Sequence, residues 1–269
     1  MRGIILAGGS GSRLSPVTRA VSKQLLPVYD KPMVYYPLSV LMQAGIRDIL
    51  IISNPHHLDA YRRLLGTGAD LGLRLEYAAQ PEPRGLAEAL LIGAEFIGDE
   101  QVALILGDNV LHRPGLGALL HEERGRLAGC TLFGCTVPDP HRFGVAELDP
   151  SGRILSLEEK PDNPRSNLVV VGLYLYDNEA VARAAELKPS DRGELEITDL
   201  NRTFVETGKA RLVPLGSEAI WFDTGTYDSL LQASVFVRAQ ERLGRPVGRL
   251  EDIARDMGFL ADRRVRAAG

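Results

Sequence analysis

Apolar residues recur along the chain at two spacings, and the switching between them predicts an ordered series of strands and helices. Apolar-rich segments at residues 3–7, 49–53, 73–79 and 102–106 read as strands buried on both faces. Between them, residues 33–44, 58–65 and 86–97 carry apolar positions at helical spacing. In the last of these Leu86, Leu90, Gly93, Ala94 and Ile97 fall on one stripe. Strands separated by helices imply parallel crossover units, and so an α/β class with a doubly wound, mainly parallel sheet.

After residue 129 the rhythm changes. Strand patterns at 130–137, 144–148, 154–159 and 169–176 are joined by short turn-rich links such as Asp149-Pro150-Ser151-Gly152. Helical spacing returns at 197–207 and 226–241. The pattern predicts one sheet extended by mixed strands and carrying a second lobe. No internal repeat or low-complexity linker interrupts it. The expected organisation is a domain over 1–240, with halves at 1–128 and 129–240. A C-terminal helical packing segment and tail follow over 241–269, helical at 249–261 and frayed at 263–269.

Composition narrows the function classes. At 269 residues, with 45% hydrophobic and 25% charged residues, the chain can bury a full globular core. A net charge of −4 gives no global attraction for nucleic acid or an anionic membrane. The longest apolar run, 168–176, is far short of the roughly 20 residues a membrane helix needs. The N-terminus enters a strand at once, without a basic-then-apolar leader, so a cytoplasmic location is expected. Cys130 and Cys135 lie five apart in a predicted strand, facing opposite ways, which favours packing over metal ligation.

The candidate chemistry begins in the loop after the first strand, Leu6-Ala7-Gly8-Gly9-Ser10-Gly11-Ser12-Arg13-Leu14. At the carboxyl edge of a parallel sheet, glycines let backbone N–H groups approach an anion closely. The dinucleotide fingerprint fails because Leu14 stands where a third glycine is needed, and the Walker Gly-Lys-Ser/Thr is absent. What remains is a glycine nest with a built-in guanidinium, and Arg13 offers phosphate a fork that lysine cannot. Lys23 follows in Ser22-Lys23-Gln24-Leu25-Leu26-Pro27, adding a mobile positive charge, while Gln24 can both donate and accept. Asp108, in Leu106-Gly107-Asp108-Asn109, stands just past a buried strand and is a candidate Mg²⁺ ligand. Asp223, in Trp221-Phe222-Asp223-Thr224-Gly225-Thr226, again ends an apolar segment before a helix. Capping and turn formation are the plainer roles of both acids.

The run from Leu6 to Pro37, with Ser-Lys-Gln-Leu-Leu-Pro and Tyr-Asp-Lys-Pro-Met-Val-Tyr-Tyr-Pro, resembles the sugar nucleotidylyltransferase family, and its thymidylyl-transferring branch most of all. Further motifs extend the resemblance from Met1 to about Phe259. It implies a Rossmann-like nucleotidyltransferase fold with a sugar-side lobe, acting on dTTP and glucose 1-phosphate with Mg²⁺ as cofactor. Uridylyl transfer stays open as the alternative. The resemblance assigns Arg13, Lys23 and Lys160 to catalysis, and both Asp108 and Asp223 to the metal. Leu6, Gly8, Gly9, Gly11, Gln24, Gln80, Gly85 and Asp108 would hold the nucleotide, with Gln80 and Gly85 reading the base. Gly144, Glu159, Lys160, Val171, Gly172, Glu194 and Trp221 would line the sugar phosphate. The same resemblance implies a homo-oligomer, a tetramer, with no nucleic-acid or membrane partner. Departures are small: Ser12 and Ser15 replace a more usual Thr and an aromatic or His, and Phe143 stands where Tyr is common. None removes a charge. A non-catalytic nucleotide-sugar sensor would be expected to lack Arg13, Lys23 or an aspartate, and all are present.

Overall fold

The computed structural model describes residues 1–9 and 11–260. The frayed tail expected at 263–269, and the last residue of the helix expected at 249–261, lie outside the described residues. The first half runs β1 (Arg2–Ala7), β2 (Pro27–Val28), β3 (Lys31–Pro32), α1 (Tyr35–Gln43), β4 (Asp48–Ser53) and α2 (Leu58–Leu65). It continues with β5 (Arg74–Ala79), α3 (Glu88–Ile92), α4 (Ala94–Ile97) and β6 (Val102–Leu106). The second half opens with β7 (Asn109–His112), α5 (Leu116–Gly125), β8 (Cys130–Thr136), β9 (Gly144–Leu148), β10 (Ile154–Glu159) and β11 (Leu168–Tyr176). It closes with α6 (Glu179–Glu186), α7 (Ile197–Glu206), β12 (Ala210–Pro214), β13 (Ile220–Asp223), α8 (Tyr227–Arg242) and α9 (Leu250–Asp256).

The main sheet follows the order β10-β9-β11-β6-β1-β4-β5, with β8 also on β11 and β12 on β8. Pairings among β6, β1, β4 and β5 are parallel, as the βα rhythm of the first half requires. From β11 outward the pairings to β6, β8 and β9 turn antiparallel, which is the mixed extension expected after residue 129. Strand alternation buries both faces. Ile5, Ile51, Ile105 and Leu173 join one apolar cluster, while Ile4, Leu50, Leu104 and Tyr174 join the other. Burying one such aliphatic side chain contributes about 1.5–3 kcal/mol, so two apolar faces account for the continuous hydrophobic runs in the sequence.

Several elements differ from their expected extents. The helix expected at 33–44 begins at Tyr35: Val34 is its N-cap, with its carbonyl accepting from the Leu38 N–H, and the free Met33 and Val34 N–H groups donate to the carbonyls of Leu26 and Gln24. The stripe at 86–97 is interrupted at Gly93 and forms α3 and α4. In the C-terminal segment, Leu250 and Ala254 of α9 enter the first apolar cluster together with α1 residues such as Leu41. A third cluster, with Val28, Met33, Tyr36, Val110, Ala233 and Val237, ties α8 to the β2–β3 hairpin and to β7. Both cysteines are free and buried, and burial pushes the Cys135 thiol up to about 11.

Candidate active site

The carboxyl ends of β1, β4 and β6 lie side by side, and the Gly107 N–H continues their ladder by donating to the Leu6 carbonyl at 2.9 Å. A side chain at Gly107 would stand 3.1 Å from the Ala7 backbone, so glycine permits this close approach. Asp108 follows immediately. Opposite it, β7 and β13 form an antiparallel ribbon that pairs Asn109 with Asp223. The ribbon is clamped by Thr224, whose N–H and hydroxyl both donate to the Asp108 carbonyl, at 3.2 and 2.7 Å. Two acids 115 positions apart in the chain are thereby brought to the wall of one cavity.

That main cavity holds about 510 Å³. It gathers Arg13, Asp108, Gly144, Glu159, Lys160, Gly172, Trp221 and Asp223 from the residues expected at the site. Arg13 lies beside the second acid: a Cβ on Gly225 would stand 2.6 Å from Arg13 Nη2 and 3.2 Å from Asp223 Oδ1. Lys23, only 7% exposed, donates from Nζ to Asp108 Oδ2 at 2.5 Å. Burial disfavours the Asp108 carboxylate. The Lys23 ammonium outweighs it, together with bonds from Lys23 and Asn109, and holds Asp108 below the usual carboxylate range. Asp223 moves the other way: burial and the nearby Asp108 charge raise it, against the pull of Lys23, Arg13 and Arg142.

A smaller cavity of about 180 Å³ adjoins the first through Leu86, Leu106 and Asp108. Leu6, Gly8, Gly9, Gln24, Gln80 and Gly85 line it as expected. Gln24 Nε2 donates to the Gly8 carbonyl at 3.1 Å while its Oε1 accepts from Ser22, so this side chain shapes the glycine loop. Ser22 is in turn bonded to Tyr61, whose phenol burial pushes up to about 12 and thus keeps neutral. Gln80 donates to Glu88 at 2.8 Å and to the Gly85 carbonyl at 3.3 Å, leaving its Oε1 free of protein donors among the described residues. Gly85 adopts φ 102°, and a Cβ there would meet the Leu195 carbonyl at 2.4 Å.

On the far wall of the main cavity, Glu159 accepts from Thr198 Oγ1 at 2.6 Å and lies 3.3 Å from Lys160 Nζ. Lys160 adopts φ 44°, a left-handed conformation uncommon for a non-glycine residue, and its N–H donates to the Phe143 carbonyl. Phe143 packs edge-on against Trp221, with ring centroids 4.9 Å apart. Three expected contacts lie elsewhere. The Val171 side chain faces the core by strand alternation, which leaves its backbone alone for any ligand. Glu194, expected with the sugar residues, lines the smaller cavity, because Leu195 pairs with Arg84 and Ala87 of the loop that follows Gln80. Gly11 lines neither cavity; its carbonyl accepts from Thr18 and fixes the loop.

Three residues without an expected role complete the site. Buried Asn109 accepts from Trp221 Nε1 at 2.6 Å and Gly172 N–H at 3.1 Å, and donates to Asp108. It therefore couples the acid to both walls of the main cavity. Glu88 fixes Gln80, and Arg142 reaches within 3.9 Å of Asp223. A polar Asn and Glu inside otherwise apolar segments were the available sequence signals for the first two.

A model of the nucleotidyl transferase family matches residues 2–240. The chain belongs to this family. It is 55% identical over 260 residues to the glucose-1-phosphate thymidylyltransferase of Xanthomonas campestris pv. campestris (strain B100), covering 96% of this chain and 88% of that one. Identity to the glucose-1-phosphate thymidylyltransferase of Neisseria gonorrhoeae is 54% over 266 residues, covering 98% and 92%. A Bacillus anthracis protein assigned as a glucose-1-phosphate thymidylyltransferase, crystallised in complex with a sucrose, superposes with a TM-score of 0.83 at 39% identity, covering 88% and 95%. A UDP-glucose pyrophosphorylase complexed with UDP-glucose shares the fold, with a TM-score of 0.75 at 23% identity over 89% and 98%.

The transferase's donor set fits a divalent cation of magnesium type. Among the described residues no group of three or more His, Cys, Asp or Glu side chains is placed to hold a metal. Two carboxylates on one cavity wall are sufficient for Mg²⁺, which takes its remaining ligands from water and substrate phosphates. Burial first, and then the nearby Asp108 charge, raise Asp223, and a cation beside the two acids would relieve the second of these.

Proposed function

We propose that this nucleotidyl transferase moves a deoxythymidylyl group from dTTP to α-D-glucose 1-phosphate, giving dTDP-glucose and pyrophosphate. The observation that carries the reading is the ribbon that brings Asp223 beside Asp108 where the two cavities meet. A transfer between two bound substrates needs charge stabilisation at their junction, and both acids and two basic residues converge there.

In this reading the smaller cavity takes the nucleoside. Gln80 Oε1 accepts from a pyrimidine N–H, with Glu88 fixing the amide. The main cavity takes the hexose phosphate: Lys160 binds the phosphate, and Glu159, oriented by Thr198, accepts from ring hydroxyls. One sugar-phosphate oxygen attacks the α-phosphorus, the bond from that phosphorus to the bridging oxygen breaks, and its electron pair leaves on pyrophosphate. The nucleophile is already an anion, so no proton need be removed and no covalent enzyme intermediate forms. Arg13 and Lys23 hold the charge of the triphosphate and of the departing pyrophosphate. Asp108 and Asp223 would hold Mg²⁺, which when bound would supply positive charge to offset that of the phosphates. Family resemblance supports a homotetramer; among the described residues no helix is long and apolar enough to cross a membrane.

The test is pyrophosphate release with glucose 1-phosphate and Mg²⁺, giving each of the five common nucleoside triphosphates separately. Release should be fastest with dTTP, require the sugar phosphate, and stop on chelation. Faster release with UTP would move the base assignment to uridylyl transfer, and sugar-independent release would overturn the reaction.

A further inference from the structure

Behind the wall of the smaller cavity stands a carboxylate that the transfer itself does not use. Glu88, the first residue of α3, lines neither cavity and is 7% exposed, yet both of its oxygens are engaged by the preceding loop. Its Oε1 lies 2.9 Å from Arg84 Nε, and its Oε2 accepts from Gln80 Nε2 at 2.8 Å. Gln80 Nε2 also donates to the Gly85 carbonyl, at 3.3 Å. A carboxylate and a carbonyl can only accept, so the two ends of this amide are not interchangeable. Turned over, the amide would set Gln80 Oε1 against two acceptors and leave buried polar groups unpaired. The Oε1 stands instead on the side of the glycine loop, where a Cβ on Gly8 would come within 2.5 Å of it. What Gln80 offers the cavity is therefore an acceptor, with both amide hydrogens already engaged behind it.

We propose that Glu88 is the residue that makes this site reject cytosine nucleotides, by holding Gln80 in its accepting orientation. The inference rests on the nucleoside placement proposed above and deepens it. Thymine and uracil carry a ring N–H between two carbonyls, and Gln80 Oε1 can accept from it. Cytosine carries a bare ring nitrogen at that position and needs Gln80 to present Nε2 instead. An unrestrained glutamine reads either base by turning its amide over, since it both donates and accepts. A neutral amide at position 88 would tolerate either orientation, because it too can donate or accept. The carboxylate tolerates one. The Gly85 carbonyl favours the same orientation through a longer bond, so Glu88 is the stronger constraint. Glu88 is a positioning residue: it acts through Gln80, on the choice of base rather than on the transfer.

The experiment compares dTTP with 5-methyl-dCTP, which differs from it only along the pairing edge of the base, each with glucose 1-phosphate and Mg²⁺. The ratio of kcat/KM for the two nucleotides is measured on the wild type, Glu88→Gln and Arg84→Ala. The wild type should favour dTTP by about 10⁴-fold, the scale on which a site built for a substrate N–H rejects the analogue lacking it. Glu88→Gln keeps the side chain's shape and lets the Gln80 amide turn. It should cut the ratio at least about tenfold, chiefly through faster use of 5-methyl-dCTP. Arg84→Ala removes the ion pair but keeps the carboxylate, so its ratio should stay within about twofold of the wild type. An unchanged ratio in Glu88→Gln overturns the proposal. An equal fall in Arg84→Ala also overturns it, because Glu88 would then serve only to hold the arginine. Comparable use of both nucleotides by the wild type overturns it without any variant. If the wild type forms no sugar nucleotide, the proposed function falls, and the same ratio read from binding of the two nucleotides still decides the role of Glu88.

Discussion

Residue by residue, the site is organised by opposed charges. Lys23 stabilises ionised Asp108, whereas Asp223 is left with burial and a like charge against it. Arg13→Ala and Lys23→Ala should each lower kcat by about 10²-fold or more, the scale of removing a preorganised electrostatic contact, with KM for glucose 1-phosphate little changed. Equal losses for an exposed control such as Arg153→Ala would sink that assignment. Asp223 gives a pH-dependent prediction. Its folded pKa is raised, so the folded state holds the proton more tightly than the unfolded chain, and ionised Asp223 costs stability above that pKa. Asp223→Asn should therefore raise the melting temperature of metal-free protein at neutral pH while abolishing turnover. The advantage should shrink as pH falls below the ordinary carboxylate range, where Asp223 is protonated in both states. A melting temperature unchanged or lowered at neutral pH would contradict the assignment.

The elements legible in the sequence are those whose pattern is local. β1, β4 and β6 announce themselves as apolar runs, β5 by alternation of Leu73, Leu75 and Tyr77 with charged residues, and α2 as a helical stripe with the bounds expected. The β7–β13 ribbon was not legible, because two four-residue strands find each other only across a long stretch of chain and neither carries clean alternation. It is nonetheless the element that assembles the acids. Glu194 shows the same limit: the family resemblance implies the sugar side, and the Leu195 pairing with the Arg84 loop draws it to the other cavity. The glycine loop, Lys23 and both aspartates were legible as residue types; their juxtaposition was implied only by the family resemblance. Thr224→Val tests the ribbon's clamp. It removes the hydroxyl donor to the Asp108 carbonyl and should cost about 1 kcal/mol, the net value of one buried hydrogen bond. A melting shift accompanied by loss of kcat is expected, whereas full activity would mean that the clamp does not position Asp108.

On the scale of the whole molecule, the proposed transfer would have the parallel half supply the nucleoside side and the mixed extension supply the sugar-phosphate side. The acids sit where the halves meet. This arrangement allows two substrates to be bound at once, so the central claim is a direct transfer from one to the other. The measurement that tests it is the configuration at the α-phosphorus when dTTP carrying a sulfur of defined stereochemistry there reacts with glucose 1-phosphate, read by phosphorus NMR of the sugar nucleotide formed. A single in-line displacement predicts inversion; retention would mean two displacements through a covalent enzyme intermediate and would contradict the account.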